Sequence, residues 1–205
     1  MRKGILALFL ILFSAPPLVF GAGSTTIVIS QVYGGGGNSG ATLKNDFVEL
    51  YNSSSTAVNL AGWTVQYAAA AGATWQTTPL AGVIQPGKYY LVQEAVGAGG
   101  TVNLPTPDAT GTIAMAAGSG KVALVKSSTA LTGSCPNDSN IVDLVGYGNT
   151  ANCFRGSAPA PAASNTNALS RAANGCTDTR NNNTDFVLSP PNPRNTSFLP
   201  RICAN

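Results

Sequence analysis

Side chains that carry most enzyme chemistry are scarce in this chain of 205 residues. It has no histidine and only eight carboxylates. The absence of histidine excludes Ser-His-Asp and Cys-His catalysis, histidine metal ligands and the usual general base near neutral pH. Asp46 and Glu49 lie three positions apart on a predicted strand and so point to opposite faces. Because nothing else in the sequence pairs two carboxylates as a glycosidase requires, we expect a protein that is not an enzyme.

The best candidate metal site is the segment from Asp178 to Asp185. Its alternating oxygen-bearing side chains and closing carboxylate are similar to a calcium loop, with Asp178, Asn182 and Asp185 as the ligands. Arg180 argues against this, since a cation repels calcium, and the segment has neither a glycine at the sharp turn nor a distal glutamate. A hydrogen-bonded Asx loop is therefore the default prediction. A calcium-stabilised structural protein stays open, and no other cofactor is indicated.

The glycine run from Gly34 to Gly37 is a second motif with possible chemistry. A phosphate-binding loop would end in Gly-Lys-Ser/Thr and open a helix, and neither feature follows the run. We predict a flexible hairpin tip between two strands. Tyr33 precedes this tip and Asn38 follows it, and both are candidate binding residues.

Several aromatic residues could form a stacking platform for a carbohydrate or a nucleic-acid base. They are Tyr33, Tyr67, Trp75, Tyr89 and Tyr90. At strand spacing, most of them are expected in the core. Trp75 stands in the polar context Ala73-Thr74-Trp75-Gln76 and is predicted to be an exposed contact.

The four cysteines all fall in the C-terminal third, at Cys135, Cys153, Cys176 and Cys203. In an exported protein an even count predicts disulfides, for which three connectivities exist. The local choice joins Cys135 to Cys153 and Cys176 to Cys203, and each such bridge is worth about 3 kcal/mol by loop entropy. A zinc site is disfavoured because histidine and Cys-x-x-Cys pairs are absent.

The first 23 residues have the pattern of a secretory signal peptide. Met1-Arg2-Lys3 is followed by an apolar run from Ile5 to Phe13 and by small residues at Gly21, Ala22 and Gly23. Residues 1–23 are therefore predicted to be removed, which leaves a secreted protein with nine basic and eight acidic residues. Because the basic residues are scattered, the electrostatic case for DNA binding is weak.

Short β-branched and aromatic runs, bounded by Gly, Pro, Asn and Ser, predict strands throughout the rest of the chain. They cover Thr26–Val32, Asp46–Tyr51, Ala57–Leu60, Trp63–Ala68, Lys88–Gln93, Val122–Lys126 and Ile141–Tyr147. In the fourth, the alternation of Trp63, Val65 and Tyr67 with polar residues predicts one buried face. This pattern indicates an all-β, antiparallel sandwich of about seven strands with long loop insertions at 94–110 and 148–168.

Three phrases in order carry a family resemblance. They are Asp46–Asn52, Val58–Val65 and Ile84–Val92, which read DFVELYN, VNLAGWTV and IQPGKYYLV. Together they resemble the lamin-tail domain, and the wider context resembles its bacterial secreted branch. The resemblance implies an immunoglobulin-like β-sandwich over residues 24–198, followed by a C-terminal tail at 199–205.

In that branch the domain often precedes a secreted nuclease, and the catalytic half is missing from this chain. The resemblance therefore implies a non-catalytic binding or surface-interaction module. The apolar run near the start is too short for a membrane span, and we expect none later in the chain. Its expected partners are a protein, the cell envelope or a nucleic-acid surface. An accessory part of a secreted nuclease system is the alternative. Oligomeric state and ligand stay open at this point.

Overall fold

The computed structural model describes residues 27–203. The predicted signal peptide at 1–23 lies outside these residues. Twelve strands are present in the described part: β1 Ile27–Tyr33, β2 Asn45–Asn52, β3 Val58–Asn59, β4 Thr64–Ala69, β5 Gln76–Pro79, β6 Val83–Ile84, β7 Tyr89–Val96, β8 Ala109–Thr110, β9 Gly120–Val125, β10 Ile141–Tyr147, β11 Ala168–Arg171 and β12 Phe186–Ser189. A short 3-10 helix spans Ala172–Gly175, and a one-turn helix, α1, spans Asn182–Asp185.

The strands form two packed sheets and a small ribbon. One sheet has six strands in the order β12-β11-β1-β2-β7-β8, and the other has four in the order β10-β9-β4-β5. β3 and β6 pair with each other. The all-β, immunoglobulin-like sandwich is thus confirmed. One pairing departs from the expected antiparallel pattern, since β8 runs parallel to β7.

The main core lies between the two sheets. Ile29, Leu50, Val65, Leu124 and Val145 are all fully buried there. These side chains come from inward-facing positions of strands in both sheets, as expected for a sandwich. Every residue of β9 is buried, as expected for a strand that lies between β10 and β4 in the middle of its sheet.

The outer faces of both sheets are also covered, which the strand patterns did not predict. Gln66 and Thr64 on β4 are buried because the segment after β9 folds over them. Gln66 Nε2 donates to the carbonyl of Thr129 at 3.0 Å, and its Oε1 accepts from the amide of Leu131 at 2.8 Å. The prediction of a single buried face on this strand is therefore wrong, because a loop replaces water on the polar face.

Two disulfides pin this arrangement. Cys135 bonds to Cys153, and Cys176 bonds to Cys203, with Cα–Cα distances of 5.0 and 5.5 Å. The predicted disulfides are thus present, in the local one of the three connectivities that the sequence left open. Within residues 27–203 no helix is long and apolar enough to cross a membrane.

Candidate binding surface

One end of the sandwich is built from four segments that are far apart in sequence. They are residues 34–44, 97–104, 111–119 and 160–167, and we call this region the loop end. β1 and β7 run toward this end, while β2 and β11 leave from it. The strands therefore bring the glycine run and both long insertions together.

The glycine run is the packed centre of the loop end. A Cβ on Gly36 would lie 1.9 Å from the carbonyl carbon of Asn45, and one on Gly37 would lie 2.2 Å from the Cα of Gly97. The amide of Gly99 donates to the carbonyl of Gly37 at 2.6 Å. Such approaches of backbone to backbone leave no room for a side chain. The run lies in the connection between the antiparallel strands β1 and β2, as predicted, but it is a tightly packed junction between loops and not a flexible tip.

Two of the predicted binding residues meet at the loop end, through a residue that the sequence reasoning missed. Asn38 is exposed, and its Nδ2 donates to Oδ1 of Asn165 at 3.1 Å. Asn165 Nδ2 donates to the carbonyl of Ser39 at 3.0 Å. Tyr33 is fully buried, and its hydroxyl donates to the carbonyl of Asn165 at 2.6 Å. Tyr33 therefore supports the surface from below, whereas Asn38 and Asn165 form part of it.

The segment Ile113–Ala116 crosses the loop end, where side chains bind its amides and the amide of Ala95 donates to the carbonyl of Ile113 at 3.1 Å. The amide of Ile113 donates to Oε2 of Glu94 at 3.0 Å, and that of Met115 donates to Oδ2 of Asp46 at 2.9 Å. The amide of Ala116 donates to the hydroxyl of Tyr67 at 3.0 Å. Buried side chains thus take the place of a neighbouring strand.

These two carboxylates are perturbed by their surroundings. Burial raises the pKa of Asp46 to about 6, against the opposing hydrogen bonds from the amides of Met115 and Gly36. Burial also raises the pKa of Glu94 to about 7, and the charge of Asp46 adds to that shift. Both side chains are nearly inaccessible, with 4% and 1% of their surface exposed. Their shifted pKa values therefore follow from burial inside the sandwich, where both carboxyl groups accept amides of the segment.

A cleft of about 580 Å³ lies beside this segment. Tyr67, Thr74, Gln76 and Met115 line it together with backbone-rich glycine and alanine positions. β5 borders the cleft and is the last strand of its sheet in the described chain, so one of its edges lacks a neighbouring strand. The cleft offers hydrogen-bonding groups without formal charge.

Trp75 is not the exposed contact that was predicted. It is only 4% exposed, and its indole Nε1 donates to the carbonyl of Gly133 at 3.0 Å. The ammonium of Lys121 lies 5.5 Å from its ring centroid. The polar segment around Trp75 leads into β5, and the indole folds inward against the loop that follows β9.

Lys121 is a second residue that the sequence reasoning missed. It is fully buried, and its Nζ donates to the carbonyls of Gly72 and Ser134 and to Oδ1 of Asn152, at 2.7, 2.6 and 2.8 Å. Desolvation lowers its pKa. The ammonium is thus held by three loop oxygens that carry no formal charge. In the sequence it looks like any solvent-facing lysine of a strand.

Of the three candidate calcium ligands, Asp178 and Asp185 both lie at Nη1 of Arg171, whereas the Asn182 side chain bonds to the backbone of β10. Their side-chain oxygens are engaged except Oδ2 of Asp178, which is buried without a hydrogen-bond partner among the described residues. Oδ1 and Oδ2 of Asp185 accept from the amide of Thr179 at 3.1 and 3.0 Å, and Oδ1 of Asn182 accepts from the amide of Gly146 at 2.9 Å. Asp178 lies 3.4 Å from Nη1 of Arg171. These bonds form the hydrogen-bonded loop. Calcium binding here stays a prediction.

The cation that contacts the carboxylates of this loop is Arg171, whereas Arg180 is exposed. Arg171 is buried, and its guanidinium bonds to Asp143 at 2.7 Å and to Asp185 at 3.4 Å. Asp143 in turn accepts from the amide of Ile29 at 2.8 Å. This network ties the loop to both sheets. Within residues 27–203, no group of three or more His, Cys, Asp or Glu side chains is arranged to hold a metal ion.

Glu49 alternates with Phe47 and Tyr51 along β2, and it is fully buried. Its Oε1 lies 2.8 Å from Nη2 of Arg194, and its Oε2 accepts from Nε of Arg194 at 3.1 Å. The Arg194 guanidinium also stacks on Tyr89, 3.6 Å from the ring centroid. Glu49 is therefore half of a two-pronged ion pair, the geometry that gives the strongest carboxylate–arginine contacts.

Comparison with known proteins bears on the whole sandwich. A model of the Lamin Tail Domain family matches residues 21–149. Among solved structures, the chain is similar to a DUF4876 family protein from Bacteroides thetaiotaomicron VPI-5482, with a TM-score of 0.50 and 12% sequence identity. That similarity covers 80% of this chain and 71% of the other, and at this identity it shows the fold alone. No curated protein matches the chain.

Proposed function

Because this chain belongs to the lamin tail domain family, we propose that it acts as a secreted, non-catalytic binding module whose binding surface is the loop end. The observation that carries this proposal is the fusion of four separate segments into one surface by backbone hydrogen bonds and glycine contacts. A surface whose backbone is fixed before a partner arrives loses little entropy on binding.

The chemistry of the loop end supports a partner that is recognised by hydrogen bonds. Its exposed residues include Asn38, Ser39, Thr101 and Thr166. Serine, glycine and asparagine are the residues that binding loops use for adaptable hydrogen bonding. A neutral glycan or an extended peptide fits such a surface better than a highly charged polymer does.

The non-catalytic part of the proposal draws on the state of the carboxylates. Asp46 and Glu94, which have the raised pKa values, hold backbone amides inside the sandwich. Asp143 and Glu49 are each paired with buried arginines. The secreted part draws on the two disulfides, which persist in oxidising compartments.

The proposal is tested by co-sedimentation with bacterial cell-wall sacculi from which lipid has been extracted. We expect the protein to pellet with the sacculi. The double variant Asn38→Ala/Asn165→Ala should bind roughly tenfold more weakly, because each hydrogen bond is worth about 1 kcal/mol. Asn183→Ala is the matched control, since Asn183 is an exposed asparagine on α1.

Two outcomes contradict the proposal. If the protein stays in the supernatant at every sacculus concentration, the wall is not its partner class. If the control weakens retention as much as the double variant does, the loop end is not the binding surface. Thermal unfolding of all three proteins confirms that any loss is one of binding.

A further inference from the structure

The last described segment of the chain forms a second surface, and its exposed side chains differ in chemistry from those of the loop end. Phe198, Leu199 and Ile202 expose 49%, 80% and 77% of their surface. Lys88 and Arg201 stand among them. We call these five residues the terminal patch.

The terminal patch is held firmly by the sheet beneath it. The amide of Arg201 donates to the carbonyl of Gly87 at 2.8 Å, and the hydroxyl of Tyr51 donates to the carbonyl of Arg201 at 2.7 Å. Nζ of Lys88 donates to the carbonyl of Phe198 at 2.6 Å, and the Cys176–Cys203 bridge closes the segment. Because the backbone is fixed at these points, Leu199 and Ile202 are presented outward.

Charge around the patch is one-sided. Two clefts, of about 410 and 450 Å³, flank the segment, and among the described residues that line them are Arg194 and Arg201 but neither aspartate nor glutamate. The carboxylate paired with Arg194 is that of Glu49, which is fully buried. The exposed guanidinium of Arg201 is therefore not neutralised by these surroundings.

The same imbalance extends over the protein. Five of the eight carboxylates are buried: Asp46, Glu49, Glu94, Asp143 and Asp185. The exposed basic residues include Lys126, Arg180 and Arg201. Among the described residues, Asp138 is the only exposed carboxylate. A chain whose charges nearly balance in sequence thus presents a cationic surface.

We propose that the terminal patch docks on the surface of an anionic phospholipid bilayer. Leu199 and Ile202 enter the interface, while Arg201 and Lys88 face the lipid phosphates. Protruding aliphatic side chains suit a soft surface that closes around them, and each nearby basic residue adds attraction to an anionic leaflet. This inference concerns residues other than those of the proposed binding surface and stands independently of it.

The test uses processed protein recovered from cells that express the full chain. It is floated with vesicles of phosphatidylglycerol and phosphatidylcholine, and with vesicles of phosphatidylcholine alone. We expect flotation with the mixed vesicles. Leu199→Ser/Ile202→Ser should weaken it at least about tenfold through lost apolar burial, and Arg201→Gln roughly fivefold through lost attraction.

Matched controls lie elsewhere on the surface. Leu188→Ser removes a half-exposed leucine from β12, and Arg180→Gln removes an exposed cation from the loop before α1. Both should float like the parent protein.

Absence of flotation with the mixed vesicles overturns the proposal. So does equal weakening by the controls, or flotation that resists Leu199→Ser/Ile202→Ser and is lost in salt, since charge alone would then explain it. Retention on wall sacculi should be unchanged by the patch variants, which separates this result from that of the loop end.

Discussion

The loop end and the terminal patch are two surfaces of one sandwich that differ in how they are held and in which side chains they expose. At the loop end, glycines and asparagines join four segments into a polar surface whose charged residue is Lys44. At the terminal patch, a disulfide and three backbone-directed hydrogen bonds present aliphatic side chains beside two cations. Both are rigid, but one is rigid through close backbone contact and the other through attachment at a few points. A fixed backbone therefore does not indicate what a surface binds. The polar, aliphatic or charged character of its exposed side chains does.

The two regions also treat buried charge differently. Beneath the terminal patch, Glu49 and Arg194 compensate each other. At the loop end, Asp46 and Glu94 accept backbone amides instead of pairing with a basic side chain of the described chain. The first arrangement should depend on keeping both partners, and the second on the pH.

Among the changes that test this comparison, removal of Arg194 should lower the free energy of unfolding the most. Arg194→Ala leaves the Glu49 carboxylate buried without its counter-ion, and breaking such a pair costs about 3–5 kcal/mol. Denaturant unfolding measures the loss. Arg180→Ala, at an exposed arginine, should change stability little, and an equally small effect of Arg194→Ala would show that the pair is not needed.

A steric change at the loop end should destabilise the protein less than the loss of Arg194 does. Gly36→Ala drives a Cβ into the backbone of Asn45, and we expect about 2–3 kcal/mol of destabilisation from the forced shift. The control is Gly40→Ala, because Gly40 has a positive φ of 81° but a Cβ at that position would meet no atom within 4 Å. That control should cost about 1 kcal/mol from backbone strain alone. Denaturant unfolding measures both, and equal losses in the two variants would contradict close packing as the reason for glycine at position 36.

The smallest effect is expected from pH. The pKa of Glu94 is about 7 in the folded protein and 4.5 for the free side chain, so the folded state binds more protons between these values. The resulting stabilisation is complete below pH 4.5 and is lost as the pH rises through 7. The free energy of unfolding should therefore be higher at pH 5 than at pH 8, by about 2 kcal/mol from this group.

Glu94→Gln tests that assignment, because it removes the titrating group but keeps an acceptor for the amide of Ile113. Most of the gain in stability between pH 8 and pH 5 should disappear in this variant. Asp138→Asn, at an exposed carboxylate, should preserve it. An unchanged pH dependence in Glu94→Gln would assign the effect to another group, with Asp46 the next to test.

The sequence by itself determined the longer strands of the sandwich, the family and the presence of disulfides, while it left their pairing open. Alternating and continuous apolar runs such as Phe47–Leu50 and Val122–Val125 specify strands locally, because side-chain direction follows the backbone period. The close spacing of the cysteines along the chain favoured the local bridges that the structure contains. Short strands such as β8 and β12 were missed, because two to four residues carry too little periodicity to distinguish them from loop.

Only the tertiary structure decided which polar residues are buried and which surfaces remain. Trp75, Lys121 and Gln66 look exposed in sequence, yet loops from distant positions fold over all three. Asn165 reaches Asn38 across 127 positions, and Arg194 reaches Glu49 across 145. No local pattern encodes such contacts, since they depend on where the strands carry the chain. Local periodicity fixes the sheets, whereas long-range hydrogen bonding and charge pairing decide which groups of this protein are left at its surface.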